Sequence, residues 1–343
     1  MTMKIALAGP YPAGTLEQFQ KLLPEQEFFA VDSQEAYDAL TDVDCIIVRI
    51  LKTPEHVLAN KPRLKAVIRW GAGYDSVDIQ AAGRRGIPVV NTPGVNAYAV
   101  AELALGMMIA LNRKLLCYWG GVQQGRWDRE AFTSLSLNHK TVGIIGGGNI
   151  GRRVAALVQA LGAQVLYYDA FRLPLEREQE LHMTYVSLDE LLERADLVSL
   201  HVPLLESTHH IIGAEQLARM KPFACLVNTS RGGLVDDAAL LQALHEGRLA
   251  GAGLDCVEDE NSPVTKQLIE TPNVLITPHV GGLHRRLGRY YGPGDRPKSS
   301  QHHRSKECGS RRKSRVSFRA VRRTNKQFYK MTDRMRRNIL WIQ

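Results

Sequence analysis

The sequence predicts an α/β protein with open parallel sheets and helices on both faces, and three observations carry that prediction. Short runs rich in Val, Ile and Leu recur across residues 1–284 without clear polar alternation. Such runs are typical of parallel strands buried on both faces. Helix-length amphipathic segments separate them, as right-handed βαβ units require. A chain of 343 residues is also long enough for two domains with separate cores.

The predicted strands recur along residues 1–284. They are KIALAG, CIIVRI, KAVIRW, IPVVN, TVGIIG, QVLYYD, DLVSLH, ACLVNT and GAGLD. Residues 97–116 (AYAVAELALGMMIALNRKLL) hold no Pro and one Gly, so they predict a helix. We place the domain boundary at the start of this helix. The prediction is a first domain over residues 1–96 and a second over residues 97–283.

The last part of the chain, residues 284–343, differs from the rest in charge. From Arg285 onward there are 19 Lys and Arg and three acidic residues, so the formal net charge of +9 combines +16 there with −7 before it. Few apolar residues occur in this basic tail at any period, which predicts disorder in isolation.

Two origins of the basic tail stay open. One is a shifted reading frame or an altered gene end from about residue 284 or 293 onward, which the coding DNA would decide. The other is an arm for nucleic acid, whose affinity would depend steeply on salt. Its aromatic residues are scattered, so the prediction is that nucleic acid is not the partner.

Composition also limits location and metal chemistry. No apolar run is long enough to span a bilayer, and Ile5 to Ala8 is too short for a signal-peptide core. The cysteines at positions 45, 117, 225, 256 and 308 form no CxxC pair. The sequence therefore predicts no disulfide, no metal site and a cytoplasmic protein.

A glycine motif points to a phosphate-bearing ligand. Gly146-x-Gly148-x-x-Gly151 follows the apolar strand 142–145 and precedes a helix expected over residues 152–161. Gly146 permits the tight turn, Gly148 lets a pyrophosphate approach the backbone, and Gly151 allows close packing of helix on strand. The free N–H groups at the helix N-terminus then favour an anion.

The next strand ends in an acidic residue. Asp169 lies 18 residues after Gly151, where a carboxylate can accept hydrogen bonds from the adenosine ribose and repel an extra 2′-phosphate. This order of strand, loop, helix, strand and acid predicts NAD as the cofactor. Arg172, close by, weakens the preference for NAD over NADP a little.

Three later strands each end in chemistry-bearing side chains. Arg231 follows one, Asp255 and Glu260 follow the next, and His279 follows a third. A guanidinium can hold a substrate carboxylate bidentately and polarise the neighbouring carbonyl. An imidazole can exchange a proton with a hydroxyl, and Glu260 hydrogen-bonded to its other nitrogen would orient it. Asp255 suits the nicotinamide side of the pocket. Together these groups suit hydride transfer on a 2-hydroxy acid.

Several segments, GIIGGGNIGRRVA, NTSRGGLVD, AGAGLDCVEDE and NVLITPHVGG, resemble those of the D-isomer-specific 2-hydroxyacid dehydrogenases. The resemblance extends from residue 1 to about residue 283. It implies two Rossmann-like doubly wound domains, a flavodoxin-like substrate domain split around an NAD-binding domain, and a homodimer formed through the NAD-binding domain. Residues 91–108 (NTPGVNAYAVAELALGMM) resemble the hinge and dimer helix of the family.

The resemblance also implies site residues. The catalytic set is Arg231, Glu260 and His279. The substrate-binding set is Ala72 and Gly73 through their backbone amides, with Arg231 and His279. The cofactor-binding set is Gly146, Gly148, Asn149, Ile150, Gly151, Asp169, His201, Pro203, Thr208, Thr229, Asp255, Gly281 and Gly282. Glu260 is followed by Asn261-Ser262-Pro263 where the family usually has Pro sooner, which shifts this loop.

The expected function is therefore NAD-dependent interconversion of a D-2-hydroxy acid and its 2-keto acid, with reduction favoured. One alternative is a phosphoglycerate dehydrogenase of serine biosynthesis. Another is a cofactor-binding homologue with impaired catalysis, because the basic tail replaces the amphipathic helix with which the family completes its substrate domain.

Overall fold

The computed structural model describes residues 2–127 and 134–282, which divide into two compact units at Asn96. The basic tail of residues 284–343, and every prediction made for it, lies outside the described residues. Among the described residues, no helix combines the length and hydropathy that crossing a membrane requires. Cys45, Cys117, Cys225 and Cys256 carry free thiols, and Cys308 lies outside this part of the chain.

Within residues 2–95, five strands form one parallel sheet in the order β2-β1-β3-β4-β5. This is the order of flavodoxin-like sheets, as predicted. The strands are β1 Lys4–Ala8, β2 Glu27–Val31, β3 Cys45–Val48, β4 Ala66–Arg69 and β5 Val89–Val90. The helices are α1 Thr15–Leu22, α2 Gln34–Ala39, α3 Glu55–Ala59 and α4 Ile79–Arg84.

Both faces of this first sheet are buried, which explains why its strands are apolar throughout. Ala6 and Ile46 lie in one hydrophobic cluster, whereas Ile5 and Ile47 lie in a second one. Successive side chains of a strand point to opposite faces, so each central strand supplies both clusters. A strand covered by helices on both sides has no position for a regularly repeated polar residue.

Within residues 134–282, seven strands form a second parallel sheet in the order β12-β11-β10-β9-β6-β7-β8. Its strands are β6 Thr141–Ile145, β7 Gln164–Tyr168, β8 Met183–Tyr185, β9 Leu197–Leu200, β10 Ala224–Asn228, β11 Leu249–Leu254 and β12 Val274–Ile276. The second unit begins at Asn96. Its helices are α5 Ala97–Asn112, α6 Leu115–Gln123, α7 Asn149–Ala160, α8 Leu175–Leu181, α9 Leu188–Arg194, α10 Ala214–Arg219, α11 Asp237–His245 and α12 Pro263–Glu270.

The order of the second sheet fixes where a ligand binds. The chain starts at β6, runs outward to β8, then returns to β9 and runs outward to the other edge. In such sheets ligands bind at the carboxyl ends of the strands, where the order reverses. That point lies between β6 and β9.

The long helix predicted over residues 97–116 is two helices. α5 ends at Asn112, and α6 starts at Leu115 after Lys114 adopts a left-handed conformation with φ of 49°. α5 buries Ala104, Met107 and other apolar residues in the core beside the sheet. Every residue from 112 to 116 is compatible with a helix, so propensity alone does not reveal the break.

Candidate active site

The glycine loop connects β6 to α7. Gly146 has φ of 108°, and a Cβ there would lie 2.6 Å from the carbonyl oxygen of His201. A Cβ at Gly151 would overlap the carbonyl oxygen of Gly146, whereas one at Gly148 would meet no atom within 4 Å. Two of the glycines are therefore required by the packing of the loop itself. The third borders open space, where a ligand can approach the backbone.

The helix after this loop begins at Asn149, three residues earlier than predicted. Asn149, Ile150 and Gly151 thus form its first turn. The turn includes no acidic residue, and no side chain among the described residues caps its N–H groups. The first N–H groups of a helix lack partners inside the helix, so this end is suited to a phosphate.

Asp169 follows β7 directly and is tied to the glycine loop. Its Oδ2 accepts a hydrogen bond from the backbone N–H of Gly147 at 2.8 Å, and its Oδ1 accepts one from Phe171 at 2.9 Å. Each carboxylate oxygen can accept a further bond. The carboxylate is therefore held next to the loop, with capacity left for a ribose hydroxyl.

The segment after β9 contributes His201, Pro203 and Thr208. The Thr208 hydroxyl donates to the carbonyl oxygen of Pro203 at 2.7 Å and accepts from the N–H of Leu205 at 2.8 Å, which closes a tight turn. The Nε2 of His201 lies 2.9 Å from the Ser199 hydroxyl. Burial lowers the pKa of His201 to about 3, so its ring is neutral near pH 7.

Two polar atoms at this end of the sheet have no partner among the described residues. They are Nδ1 of His201, after β9, and Oγ1 of Thr229, after β10. Buried polar groups in proteins are usually hydrogen-bonded, so an unpartnered pair beside the glycine loop indicates that a polar ligand completes them. The loop, the helix N-terminus, Asp169 and these two atoms fit a dinucleotide.

Arg231 lies just past β10, in a loop shaped by its neighbours. The Asn228 side chain donates to the carbonyl oxygen of Arg231 at 2.8 Å, and the Arg231 guanidinium donates to the carbonyl oxygen of Ser230 at 2.7 Å. A Cβ at Gly232 would overlap the carbonyl oxygen of Val257. The space beside this glycine is therefore taken by the loop after β11.

Asp255 binds the loop that carries His279 through several hydrogen bonds. It is 1% exposed, and its Oδ1 accepts hydrogen bonds from the Thr277 hydroxyl at 2.6 Å and from the N–H of Val280 at 2.8 Å. Its Oδ2 accepts one from the N–H of Gly281 at 2.8 Å. The predicted contact of Asp255 with the nicotinamide stays a prediction. What the structure shows is a carboxylate that fixes the segment around His279.

His279 itself has φ of 52°, an uncommon conformation for a residue other than glycine. The following Gly281 cannot carry a Cβ without crowding Asp255, because that Cβ would lie 2.8 Å from Oδ2. Gly282 borders Asn96, whose side-chain nitrogen would lie 2.9 Å from its Cβ. Gly281 therefore has a structural role in addition to any contact with a cofactor.

Glu260 lies on the loop between β11 and α12 and is exposed. Within the described residues its carboxylate has no hydrogen-bond partner, so the expected bond to the His279 ring is not present. Ser262 caps α12 with Pro263 in its first turn, which explains why proline comes later here than in the family pattern.

Ala72 and Gly73 belong to the first unit, in the loop that follows β4. Gly71 before them has φ of 137°, and its N–H donates to the Thr92 hydroxyl at 3.0 Å. The Asn91 side chain donates to the carbonyl oxygen of Ala72 at 2.7 Å. These bonds shape a loop at the carboxyl end of its own sheet. The other predicted site residues all belong to the second unit.

His209 and His210 lie near Glu258. The Nε2 of His210 is 2.9 Å from Oε1 of Glu258, and the two imidazoles stack with their centroids 3.9 Å apart. In the described part of the chain this is the one group with three donors spaced for a metal ion. All three side chains are partly exposed.

Sequence reasoning missed Asn228 and Thr277, which position Arg231 and Asp255. Asn228 is fully buried at the end of β10, and Thr277 follows β12. Asn is a common turn-forming residue at the end of a strand, so the sequence did contain a local signal for Asn228. Nothing local marks Thr277, because its partner lies 22 residues away.

Comparison with known proteins matches residues 105–281 to the family model described as D-isomer specific 2-hydroxyacid dehydrogenase, NAD binding domain. The hydroxypyruvate reductase of Thermotoga maritima is 38% identical over 265 residues, which cover 75% of this chain and 85% of that protein. The glyoxylate reductase of Thermococcus litoralis is 39% identical over 252 residues, with 71% and 76% covered.

Solved structures agree. A D-lactate dehydrogenase from Aquifex aeolicus, complexed with NAD and lactic acid, superposes with a TM-score of 0.74 at 30% identity, covering 81% of this chain and 88% of that one. An acyclic imino acid reductase in complex with NADPH and D-Arg gives a TM-score of 0.74 at 29% identity, with 82% and 91% covered.

The fold and the site thus define an oxidoreductase that binds NAD. The chain belongs to the D-isomer-specific 2-hydroxyacid dehydrogenase family.

Proposed function

We propose that this enzyme reduces a small, unbranched 2-keto acid such as glyoxylate or hydroxypyruvate to the corresponding hydroxy acid. One observation carries the proposal. Arg231, Asp255 and His279 follow β10, β11 and β12, three neighbouring strands of one sheet, and the glycine loop follows β6 in the same sheet. The carboxyl ends of parallel strands share one edge, so anion-binding, proton-transferring and cofactor-binding groups lie along it.

The side chains have separable roles in this reaction. The Arg231 guanidinium binds the substrate carboxylate and draws electron density from the adjacent carbonyl. When bound at the glycine loop and Asp169, NADH would supply the hydride that the carbonyl carbon accepts. His279 donates a proton to the carbonyl oxygen, so that one C–H and one O–H bond form together. The amides of Ala72 and Gly73, in the first unit, stay predicted substrate-binding groups.

Two acidic residues support His279 in different ways. Asp255 holds its loop through the three hydrogen bonds described above. We assign Glu260 to the imidazole, whose protonated form a nearby carboxylate favours. Glu260 is exposed in this structure, so its carboxylate is available to contact the His279 ring.

The test is steady-state consumption of NADH with glyoxylate, hydroxypyruvate, pyruvate and phosphohydroxypyruvate. Arg231→Ala should lower kcat/KM by at least about 100-fold, since it removes the charge that binds and polarises the substrate. NADH affinity should change little. The matched control is Arg248→Ala, which removes an exposed arginine that precedes β11 at the opposite end of the sheet.

Different outcomes separate the alternatives. Absent turnover with intact NADH binding would favour the cofactor-binding homologue with impaired catalysis. Turnover confined to phosphohydroxypyruvate would favour a phosphoglycerate dehydrogenase. The phosphoglycerate dehydrogenase of Methanocaldococcus jannaschii is 36% identical over 281 residues, but only 53% of that protein is covered.

We further propose a homodimer formed through the second unit. None of the nine residues of α6 is buried, although Leu115, Leu116 and Trp119 are large and apolar. Trp119 is 62% exposed. Contiguous exposed apolar residues mark interaction surfaces. Trp119→Glu should convert the dimer to a monomer in light scattering, whereas Phe223→Glu, on an exposed residue outside α6, should not.

A cytoplasmic location remains a proposal that rests on the free thiols.

A further inference from the structure

The loop after β7 carries two opposing signals for cofactor choice. Asp169 is the acid expected to bind the ribose diol of NAD, and Arg172, three residues later, is a residue type that accommodates the 2′-phosphate of NADP. Similar structures include one complex with NAD and one with NADPH, so the fold alone does not decide between them. The side chains around Arg172 give the missing information.

The Arg172 guanidinium is hydrogen-bonded to Glu178 of α8. Nε of Arg172 donates to Oε1 of Glu178 at 2.8 Å, and Nη2 donates to Oε2 at 2.9 Å. This is the bidentate geometry that makes arginine–carboxylate pairs strong and directional. The guanidinium also lies over the Tyr185 ring, 4.9 Å from its centroid.

Glu178 is itself held in place by a hydrogen bond from the core of the second unit. It is 5% exposed, and the Tyr167 hydroxyl in the core of β7 donates to its Oε1. The N–H of Leu173 donates to the same hydroxyl at 3.0 Å, so the residue after Arg172 belongs to the network. The hydrogen bonds from Arg172 and then from Tyr167 lower the pKa of Glu178 to about 2, and its carboxylate is ionised at neutral pH.

The charges around the ribose position follow from this network. Arg172 and Glu178 cancel, and among the described residues no basic side chain pairs with the Asp169 carboxylate, which accepts only backbone N–H groups. A 2′-phosphate would then meet a neutralised arginine and a negatively charged carboxylate. The Arg172 fork that could grip a phosphate is partly occupied, since two of its five N–H groups are already donated.

We propose that Glu178 is a specificity-determining residue: it withholds Arg172 from the 2′-phosphate and so makes the enzyme select NADH over NADPH. Glu178 touches neither substrate nor cofactor in this scheme. It acts by positioning and neutralising Arg172, and the inference rests on NAD binding alone, not on the proposed substrate.

The experiment measures equilibrium binding of NADH and of NADPH to the full chain at low ionic strength. Glu178→Gln keeps the size of the side chain and removes its charge. It should tighten NADPH binding by about tenfold and change NADH binding by less than about twofold, because only NADPH carries a group that the released arginine can bind. Because binding is the readout, the result is independent of any turnover.

Two controls separate release of Arg172 from a general loss of negative charge. Glu176→Gln removes an exposed acid two residues away in the first turn of the same helix and should leave both affinities unchanged. Adding Arg172→Ala to Glu178→Gln should abolish the gain for NADPH. A gain that persists in this double variant, or that Glu176→Gln reproduces, would overturn the proposal.

Glu178 is buried, so a conservative second variant keeps the test decisive if Glu178→Gln does not fold. Glu178→Asp retains the charge but shortens the side chain, which breaks the two-bond geometry. It should give a smaller gain for NADPH, about threefold, in a protein with wild-type thermal stability within a few degrees. An unchanged ratio of the two affinities in a folded Glu178→Asp protein would count against the proposal.

Discussion

The two halves of the second sheet treat their polar groups in opposite ways. Around the carboxyl ends of β6 and β9, the chain leaves groups open: the first turn of α7 is uncapped, Gly148 borders free space, and Nδ1 of His201 has no partner among the described residues. On the side of β11 and β12, polar groups bind each other, with three hydrogen bonds converging on Asp255.

The difference matches the separate requirements of cofactor binding and proton transfer. A dinucleotide brings many hydrogen-bonding groups, so the half that binds it can leave its own groups unmatched until the ligand completes them. A proton-transferring side chain needs a fixed position before substrate arrives, so its loop is held by internal bonds. Substitutions in the two halves should therefore fail differently.

The largest effect is expected from Gly151→Ala. Its Cβ would overlap the carbonyl oxygen of Gly146, so the turn or the helix must move. We expect the free energy of unfolding to fall by about 2–4 kcal/mol, as for other overpacked sites, and NADH binding to be lost. Thermal unfolding and NADH fluorescence measure the two effects.

Gly148→Ala is the matched control for that experiment. Gly148 has φ of −74°, which alanine adopts freely, and its Cβ would meet nothing within 4 Å. Stability should stay within about 0.5 kcal/mol of wild type. NADH affinity should still fall, because the methyl group occupies the approach of the pyrophosphate. Equal stability of the two variants would contradict the division of roles among the glycines.

A somewhat smaller effect is expected from Asp255→Asn in the other half. The new amide group would face N–H donors, and at least one buried donor would lose its partner. Stability should fall by about 2–3 kcal/mol, and kcat should fall more than NADH affinity because the His279 loop loses its anchor.

Thr277→Val calibrates this change, since it removes one of the three hydrogen bonds and leaves the carboxylate. It should cost about 1 kcal/mol and lower kcat less. An Asp255→Asn enzyme with wild-type kcat would show that the anchoring bonds have no part in catalysis.

The sequence allowed the fold class to be predicted correctly, because parallel strands buried on both faces leave a local trace. Every apolar run named as a strand is one in the structure. The strands that were missed, β2 at Glu27–Val31 and β8 at Met183–Tyr185, both lie at a sheet edge. Edge strands are partly exposed, so their composition carries less of the apolar signal.

The site was predictable to the extent that its constraints are local. The turn at Gly146 and the crowding at Gly151 arise within six residues, and a motif can show them. Asp255 binds a segment more than 20 residues away, and Gly232 makes room for Val257. Such pairings depend on strand order, which residue spacing does not encode. The catalytic roles of Arg231, Glu260 and His279 stay predictions.

The last expected effect concerns pH and the His201 ring, whose Nδ1 has no partner among the described residues. Its pKa is about 3 in the folded protein against an ordinary 6.5, so the unfolded chain binds a proton that the folded chain does not. The resulting stabilisation is complete above pH 6.5 and is lost as the pH falls. Between pH 6.5 and 5 it changes by up to about 1.4 kcal/mol per pH unit. Glu178 adds to this loss only below about pH 4.5, its ordinary range.

The free energy of unfolding, measured in urea from pH 7 to pH 5, checks this for the wild type and two variants. His201→Gln should flatten the slope, whereas His245→Gln, an exposed histidine at the end of α11, should leave it unchanged. Equal slopes in all three proteins would mean that the His201 ring is already hydrated. The contrast between an open nucleotide half and a bonded catalytic half would then lose one of its supports.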